Sequence, residues 1–308
     1  MTRRQFKYQP GRILAAAAVV TMAVVASGPL SAADYPDHDI TFIVPYSPGG
    51  GSDQQARRLQ PGLQKALGVN IRIVYKTGGG GAIGFNELYR SKPDGYTISN
   101  VVVPNIIVTA KGKNVGYKPD EFAYIGMTAQ AVGALMVPKG SKFKSLKDFV
   151  DFAKANPGKV TVAGVGGTGE VNTANLMKVL GIKISYVPVS GGVGKMVPML
   201  AGKHVDAGVT SSSHAVKHAG ILNTLVLAGD STSESLPGVP NESRWTYTTT
   251  WGVMAPPGTP KDIVAKLNDA LNKATPPVRA MVVKNGLTPM KQTPEEAKKF
   301  IDKAIANN

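Results

Sequence analysis

The sequence predicts an α/β fold in which mainly parallel sheets are flanked by helices. Short apolar runs alternate with longer amphipathic segments, and turns rich in glycine or proline separate them. Continuous apolar strands are typical of parallel sheets that are covered on both faces. The predicted strands are 41–44, 71–75, 97–103, 134–137, 159–163, 184–187, 205–209, 224–228 and 251–255. The predicted helices are 54–66, 85–91, 146–156, 171–180, 195–201, 261–273, 277–285 and 294–306.

Several helix ends carry recognisable signals. Ser145 precedes one helix, and Thr293 precedes another whose first residue is a proline, so both are expected to be N-caps. Gly181 and Gly286 are expected to end their helices.

Two similar proline- and glycine-rich segments divide the chain into lobes. VPKG at 137–140 and PPGTP at 256–260 each follow an apolar strand, and a series of βα units lies between them. We expect a discontinuous first lobe (34–135 and 253–308) and an inserted second lobe (136–252). The two crossings, near residues 135 and 252, would leave a ligand cleft between the lobes.

The first 33 residues are interpreted as an export signal. Four basic residues precede an apolar run over 13–25, and small residues at 31–33 suit a cleavage site. TRRQFK at 2–7 resembles a twin-arginine signal, so either that route or the general secretory route is open; an uncleaved anchor is the alternative. No later stretch is apolar enough to span a membrane. We expect a monomer in the periplasm, not inserted in the membrane after the signal is removed.

Composition narrows the class of function. The formal net charge is +15, and since the signal holds four of the basic residues and no acidic one, +11 remains. The lysines are dispersed and aromatic residues make up only 6% of the chain, so no nucleic-acid partner is expected. The absence of cysteine excludes disulfides.

Two glycine-rich turns in the first third are the main candidate site. PYSPGGGSD at 45–53 and TGGGGAIG at 77–84 each follow a predicted strand and precede a predicted helix. Glycine lets the backbone approach a ligand closely, and a helix N-terminus offers free N–H groups to an anion. The turns therefore predict a site for something negatively charged.

Other chemistry is poorly supported. GGGAIG at 79–84 and GVGGTG at 164–169 match the dinucleotide pattern, but no acidic residue follows on the next strand, and no Walker lysine is present. SKFK at 141–144 and KTG at 76–78 occur in the wrong order for a penicillin-interacting serine enzyme. His214 and His218 could share a metal, although a structural role is favoured. We expect no catalytic residue, no cofactor and no metal.

Two carboxylates lie beside glycine-rich turns. Asp53 is expected to cap the helix beginning at Gln54 rather than to act as a base. Glu170 either faces the cleft or lies on an exposed first helical turn, and the sequence leaves both open.

The chain resembles the Bug family, the periplasmic receptors of tripartite tricarboxylate transporters. The similarity covers the region after the signal, in order. The segments that carry it are YPD at 35–37, IVPYSPGGGSD at 43–53, GGGAIG at 79–84, PDGYT at 93–97, AGVG at 163–166, VP at 187–188, GG at 191–192, LAGKHVDA at 200–207 and APPGTP at 255–260.

The resemblance implies a two-lobed periplasmic-binding-protein (flytrap) fold that closes on a small organic carboxylate. The membrane components of a tripartite transporter would be its partners. Carried onto this sequence, the implied first-lobe contacts are Tyr46, Ser47, Gly50, Gly51, Ser52, Gly81 and Ala82. The implied second-lobe contacts are Gly166, Gly167, Thr168, Ser190 and Thr210, and Glu170 and Asn172 are added as candidate ligand contacts.

Departures from the family pattern bear on the ligand. Glu170 stands where many relatives have His, Asn172 replaces a small or apolar residue, and neutral Ser190 replaces a Lys or Asp. Glu170 and Ser190 argue against a second strong anion site, whereas Asn172 and Thr168 could meet a second carboxylate. Aromatic acids and di- or tricarboxylates both remain open. The alternatives to a transport receptor are a ligand-sensing receptor and an exported enzyme acting on a carboxylate.

Overall fold

A computed structural model describes residues 35–111, 114–190, 192–230 and 235–307. The predicted export signal lies outside these residues. In these ranges the strands are β1 (Ile40–Val44), β2 (Ile71–Tyr75), β3 (Thr97–Val103), β4 (Ala123–Pro138), β5 (Thr161–Val165), β6 (Ser185–Val189), β7 (Ala207–Ser211), β8 (Leu222–Ala228), β9 (Asn241–Glu242), β10 (Thr248–Ala255) and β11 (Thr288–Pro289). The helices are α1 (Gly51–Leu67), α2 (Ala82–Tyr89), α3 (Asn105–Ala110), α4 (Leu146–Ala155), α5 (Gly166–Leu180), α6 (Val193–Ala201), α7 (Ser212–Lys217), α8 (Lys261–Ala274), α9 (Arg279–Lys284) and α10 (Pro294–Ala306).

The strands form one mixed sheet with the order β2-β1-β3-β10-β4-β7-β5-β6. Its two ends are parallel: β1 pairs with β2 and β3, and β5 pairs with β6 and β7. The centre is antiparallel, because β10 and β4 run against their neighbours. The predicted α/β fold class is confirmed, and the antiparallel centre is where the chain passes between the two ends.

Helices cover both faces at each end of the sheet, which buries the strands as the apolar runs predicted. Phe42 on β1 packs in one cluster with Leu63 of α1 and Leu267 of α8. On the opposite face, Phe85 of α2 packs with Ile301 of α10. Two further clusters cover the two faces of the other end, around α4 and α5 and around α6.

The predicted caps of α4 and α10 are present. Ser145 accepts from the backbone N–H of Asp148, whose carboxylate accepts in return from Ser145, and Thr293 and Glu296 form the same capping box. Gly181 ends α5 in the left-handed conformation.

Helices α1 and α5 begin earlier than predicted, at Gly51 and Gly166, so their first turns lie inside the glycine-rich segments. The N-cap of α1 is Gly50 rather than Asp53. Asp53 instead reaches back from the first turn to the turn that precedes the helix. Both crossings predicted between the lobes fall inside strands, residue 135 in β4 and residue 252 in β10. No helix in the described ranges is long and apolar enough to cross a membrane.

Candidate functional site

A cavity of about 360 Å³ lies where the two ends of the sheet face each other. It is built by the turns that follow β1, β3, β5, β6 and β7, together with residues of β10. In α/β sheets the carboxyl ends of parallel strands are the usual place for ligands. The described residues lining the cavity are Tyr46, Ser47, Pro48, Gly50, Gly51, Ser52, Val102, Asn105, Val165, Thr168, Gly169, Asn172, Gly192, Val193, Gly194, Lys195, Val209, Thr210, Ser211, His214, Tyr247, Thr249 and Trp251.

Three helices of nine residues or more begin at the cavity wall: α1, α5 and α6. None of them has a side-chain cap, in contrast to the capping boxes of α4 and α10. The first backbone N–H groups of a helix have no partner within the helix, and they lie at the positive end of its dipole. The wall therefore presents N–H groups suited to an anion from both ends of the sheet.

The turn between β1 and α1 depends on glycine at position 51. A Cβ atom there would lie 2.9 Å from Cζ2 of Trp251. The absence of a side chain lets the first turn of α1 lie directly on the indole ring, which also lines the cavity.

Asp53 holds this turn in place. Its Oδ2 accepts from the backbone N–H of Gly49 at 2.7 Å, and its Oδ1 accepts from the Tyr75 hydroxyl at 2.7 Å and from Nε of Arg57 at 2.8 Å. Burial raises the pKa of Asp53, but these hydrogen bonds and the Arg57 charge outweigh burial, and the pKa lies below its ordinary value. Asp53 is thus ionised, and its carboxylate oxygens are engaged in hydrogen bonds that hold the turn.

No residue of the second glycine-rich turn is among the described lining residues, but the turn lies against Tyr46, which lines the cavity. All four glycines from Gly78 to Gly81 have positive φ. A Cβ atom on Gly81 would lie 2.9 Å from the Tyr46 hydroxyl and 2.8 Å from the Phe85 ring. Within the described residues the buried Tyr46 hydroxyl makes no well-formed hydrogen bond, and burial raises the pKa of Tyr46 far above its ordinary value.

The cavity wall carries no acidic side chain among the described residues. Its ionisable groups other than tyrosine are Lys195, at the first turn of α6, and His214 on α7. Burial lowers the pKa of His214 to about 3, with smaller contributions from His218 and Lys217. His214 is therefore neutral at physiological pH, and Lys195 leaves the wall with a positive balance.

Eight of the residues predicted as ligand contacts lie together in this wall: Tyr46, Ser47, Gly50, Gly51, Ser52, Thr168, Asn172 and Thr210. Gly166 is the first residue of α5. Five others lie outside the described wall: Gly81, Ala82, Gly167, Glu170 and Ser190. Glu170 and Ser190 are exposed, and neither is among the residues that line the described cavity.

Several wall residues were not predicted. Lys195 follows a glycine run after a predicted strand, the same signal that marked the turn after β1, and could have been found that way. Trp251, Tyr247 and Asn105 carried no such signal, because they join the wall through the antiparallel centre of the sheet and through the short helix α3.

The structure offers no clear metal centre. The rings of His214 and His218 are stacked with centroids 6.4 Å apart. Across the described ranges, no group of three or more His, Asp, Glu or Cys side chains could hold a metal ion.

The fold is that of the periplasmic binding proteins, as the solved structures show. A structure described as a periplasmic transporter has a TM-score of 0.82 and 30% identity, covering 88% of this chain and 95% of its own. MatC from Rhodopseudomonas palustris, solved with bound malate, has a TM-score of 0.80 and 25% identity, covering 89% and 98%.

Sequence comparison gives the family. Residues 55–308 match the tripartite tricarboxylate transporter family receptor, and the chain belongs to this family. Protein BugT of Bordetella pertussis is 29% identical in an alignment 304 residues long, which covers 94% of this chain and 93% of BugT. The resemblance to the Bug receptors is confirmed.

Proposed function

We propose that this protein is a periplasmic solute-binding protein that captures a small organic carboxylate and delivers it to a tripartite tricarboxylate-type membrane transporter. The observation that carries this proposal is the cavity itself: its described wall holds no acidic side chain, and α1, α5 and α6 begin there without side-chain caps. Membership of the receptor family supports it, as does the malate bound to the similar MatC.

The gripped carboxylate would lie against the first turn of α1. Ser47 and Ser52 offer hydroxyl donors there, and the backbone of Gly51 and Ser52 offers N–H groups. Such donors stabilise an anion without a buried countercharge. Thr168, Asn172 and Thr210 would close on the other end of the ligand.

The mechanism is binding rather than chemistry. The Asp53 carboxylate is held by the turn, the described wall holds no carboxylate, and the Ser211 hydroxyl in that wall is hydrogen-bonded to the Ser213 hydroxyl at 2.9 Å. Closure would be a hinge motion of the two predicted lobes about the crossings in β4 and β10. The closed, liganded form would be the one that the membrane components recognise.

A thermal-shift screen tests the capture step. Aromatic acids and mono-, di- and tricarboxylates are each added to the purified protein, beside a neutral sugar and a cation. A true ligand raises the unfolding midpoint as RT ln(1 + [L]/Kd) grows. The proposal fails if no carboxylate raises the midpoint while the sugar or the cation does.

A pair of matched variants locates the site. Ser52→Ala removes a buried hydroxyl from the wall, whereas Ser185→Ala removes an exposed hydroxyl on β6. We expect Ser52→Ala to lower the affinity for the tightest-binding carboxylate about tenfold, because one hydrogen bond to a charged group is lost. Ser185→Ala should leave the affinity unchanged, and equal effects of the two variants would remove the α1 turn from the site.

Delivery is tested with the transporter membrane components in vesicles. Uptake of the acid that binds should require this protein, and only its liganded form should stimulate uptake. Full uptake in the absence of this protein would contradict the transport role. Carboxylate capture would then favour the alternative of a ligand-sensing receptor.

A further inference from the structure

A buried hydrogen bond fixes the orientation of Asn172 in the cavity wall. The indole Nε1–H of Trp245 donates to Oδ1 of Asn172 at 2.8 Å. Indole nitrogen is a donor only, so the amide oxygen must face it, and the two ends of the carboxamide are distinguished. Trp245 is fully buried and Asn172 is 2% exposed, so water does not compete for this bond.

Trp245 is itself held firmly. Its ring lies against β4, where a Cβ atom on Gly133 would be only 2.7 Å from Cζ2 of the indole. Its backbone N–H donates to Glu242, and its carbonyl accepts from Gly229 at 2.8 Å. The indole cannot turn away, so Asn172 has a fixed partner before any ligand arrives.

The consequence for the cavity is a directed donor. Asn172 lines the wall, and because its oxygen faces Trp245, its amide NH₂ is turned away from the indole and is the donor that Asn172 can offer a ligand. Reversing the amide would set NH₂ against the indole N–H and leave both donors without an acceptor. Lys195 also lines the cavity, and it lies with Asn172 on the part of the wall formed by the β5–β6 end of the sheet.

We propose that Asn172, oriented by Trp245, selects ligands that carry an acceptor oxygen at the end remote from the gripped carboxylate. This inference rests on the proposed function, because it assumes that a carboxylate lies at the α1 turn. Asn172 is then a specificity-determining residue, and Trp245 is a positioning residue that acts through it. The substrate class is a carboxylic acid with a second carboxylate or carbonyl oxygen, rather than one with an apolar far end.

The test compares acids matched in length. Titration calorimetry measures the affinities of succinate, adipate and suberate, each beside butyrate, hexanoate or octanoate. The monoamide of each diacid supplies a neutral acceptor, so it separates a requirement for an oxygen from a requirement for charge. The wild-type protein should prefer the diacid or its monoamide over the monoacid by about tenfold or more, because a buried donor is unsatisfied by the monoacid.

Substitutions then assign the preference to Asn172. Asn172→Leu has nearly the same shape and should lower the affinity for the preferred acid about tenfold, while the matched monoacid changes less than about twofold. Asn172→Asp keeps an oxygen for Trp245 and removes the donor. Its affinity should therefore fall more for the diacid than for the monoacid. Asn175→Ala, on the exposed side of the same helix, is the control and should change neither.

A double-mutant cycle tests the role of Trp245. Trp245→Phe should reduce the preference in the wild-type background and have no further effect on it in Asn172→Leu. An additive effect would overturn the positioning role. If Trp245→Phe does not fold, the two Asn172 variants decide the inference alone.

The outcomes separate the two proposals. Absence of binding by every acid would overturn the proposed function and this inference with it. Equal binding of diacid, monoamide and monoacid, unchanged in Asn172→Leu, would overturn this inference and leave carboxylate capture standing.

Discussion

Glycine at two single positions shapes the cavity wall. At Gly51 the missing side chain brings the first turn of α1 against Trp251, and at Gly81 it accommodates the Tyr46 hydroxyl. Gly81 also has φ +102°, a conformation that is costly for any residue with a Cβ atom. The second glycine-rich turn thus packs against the side of Tyr46 and helps to fix its position in the wall.

Replacing Gly81 with alanine should weaken both folding and binding. The positive φ should cost about 1–3 kcal/mol of stability, and the new Cβ atom should push Tyr46 into the cavity, reducing carboxylate affinity. Urea unfolding and titration calorimetry measure the two effects.

Gly140→Ala is the matched control. Gly140 also has positive φ (+76°), but nothing lies within 4 Å of its Cβ position. The Gly140→Ala variant should lose stability but keep its affinity for the carboxylate. If Gly81→Ala likewise keeps its affinity, the turn has no part in shaping the wall.

The residues of the β1–α1 turn could be predicted as site residues because the motif places them directly at the end of a strand. Glu170 could not be placed, because the helix phase depends on where α5 begins. With the helix starting at Gly166, Thr168 and Asn172 are four residues apart and share a face. Glu170, midway between them, points away and is exposed.

At the scale of elements, the strands with strong apolar runs were predicted with their observed bounds, as for β2 and β3. Strand β4 extends eleven residues further toward the N-terminus than predicted, since its first part mixes small and polar residues and gives no apolar run. The six-residue helices α3 and α7 are too short for a helical period to show. Both contribute to the wall, so Asn105 and His214 were not predicted as wall residues.

Helix α7 connects the two ends of the sheet across the cavity. It carries His214 in the wall, and Lys217 at its end donates from Nζ to the Gly49 carbonyl at 3.1 Å. Ser212, at its start, donates from its hydroxyl to the Gly286 carbonyl at 2.7 Å. These contacts join α7 to the β1–α1 turn and to the segment after α9.

Removing the Lys217 contact should therefore loosen the connection between α7 and the β1–α1 turn. Lys217→Met loses one exposed hydrogen bond, so we expect affinity for the bound carboxylate to fall about two- to fivefold, mainly through faster release. Stopped-flow fluorescence of Trp251 and Trp245 would follow the release rate. Lys139→Met, an exposed lysine away from the cavity, removes the same charge and should leave release unchanged.

At the scale of the whole molecule, acid should destabilise the fold through buried His214. The unfolded chain binds a proton on this histidine below about pH 6.5, whereas the folded protein does so only below about pH 3. Between these values the unfolded state holds more protons, so stability falls as the pH falls, by up to about 1.4 kcal/mol per pH unit. The lowered pKa values of His218 and Asp53 also make stability fall with acid. Asp53 contributes only at low pH, where a carboxyl group of the unfolded chain begins to bind a proton.

Urea unfolding of the ligand-free protein at several pH values between 7 and 4 measures this dependence. His214→Gln removes the titrating group, so its stability should decline less steeply with acid than that of the wild type. Parallel slopes for the two proteins would show that His214 is not buried in its neutral form.

The shared strand β4 has a consequence for any attempt to divide the protein. Its first part pairs with β10, and its last part pairs with β7 and β8. A fragment containing either end of the sheet without β4 would expose a long row of unpaired backbone groups, an open edge that recruits other chains into aggregates. Chimaeras that exchange one end of the sheet for that of a relative therefore have to carry β4 intact, with its partners on both sides.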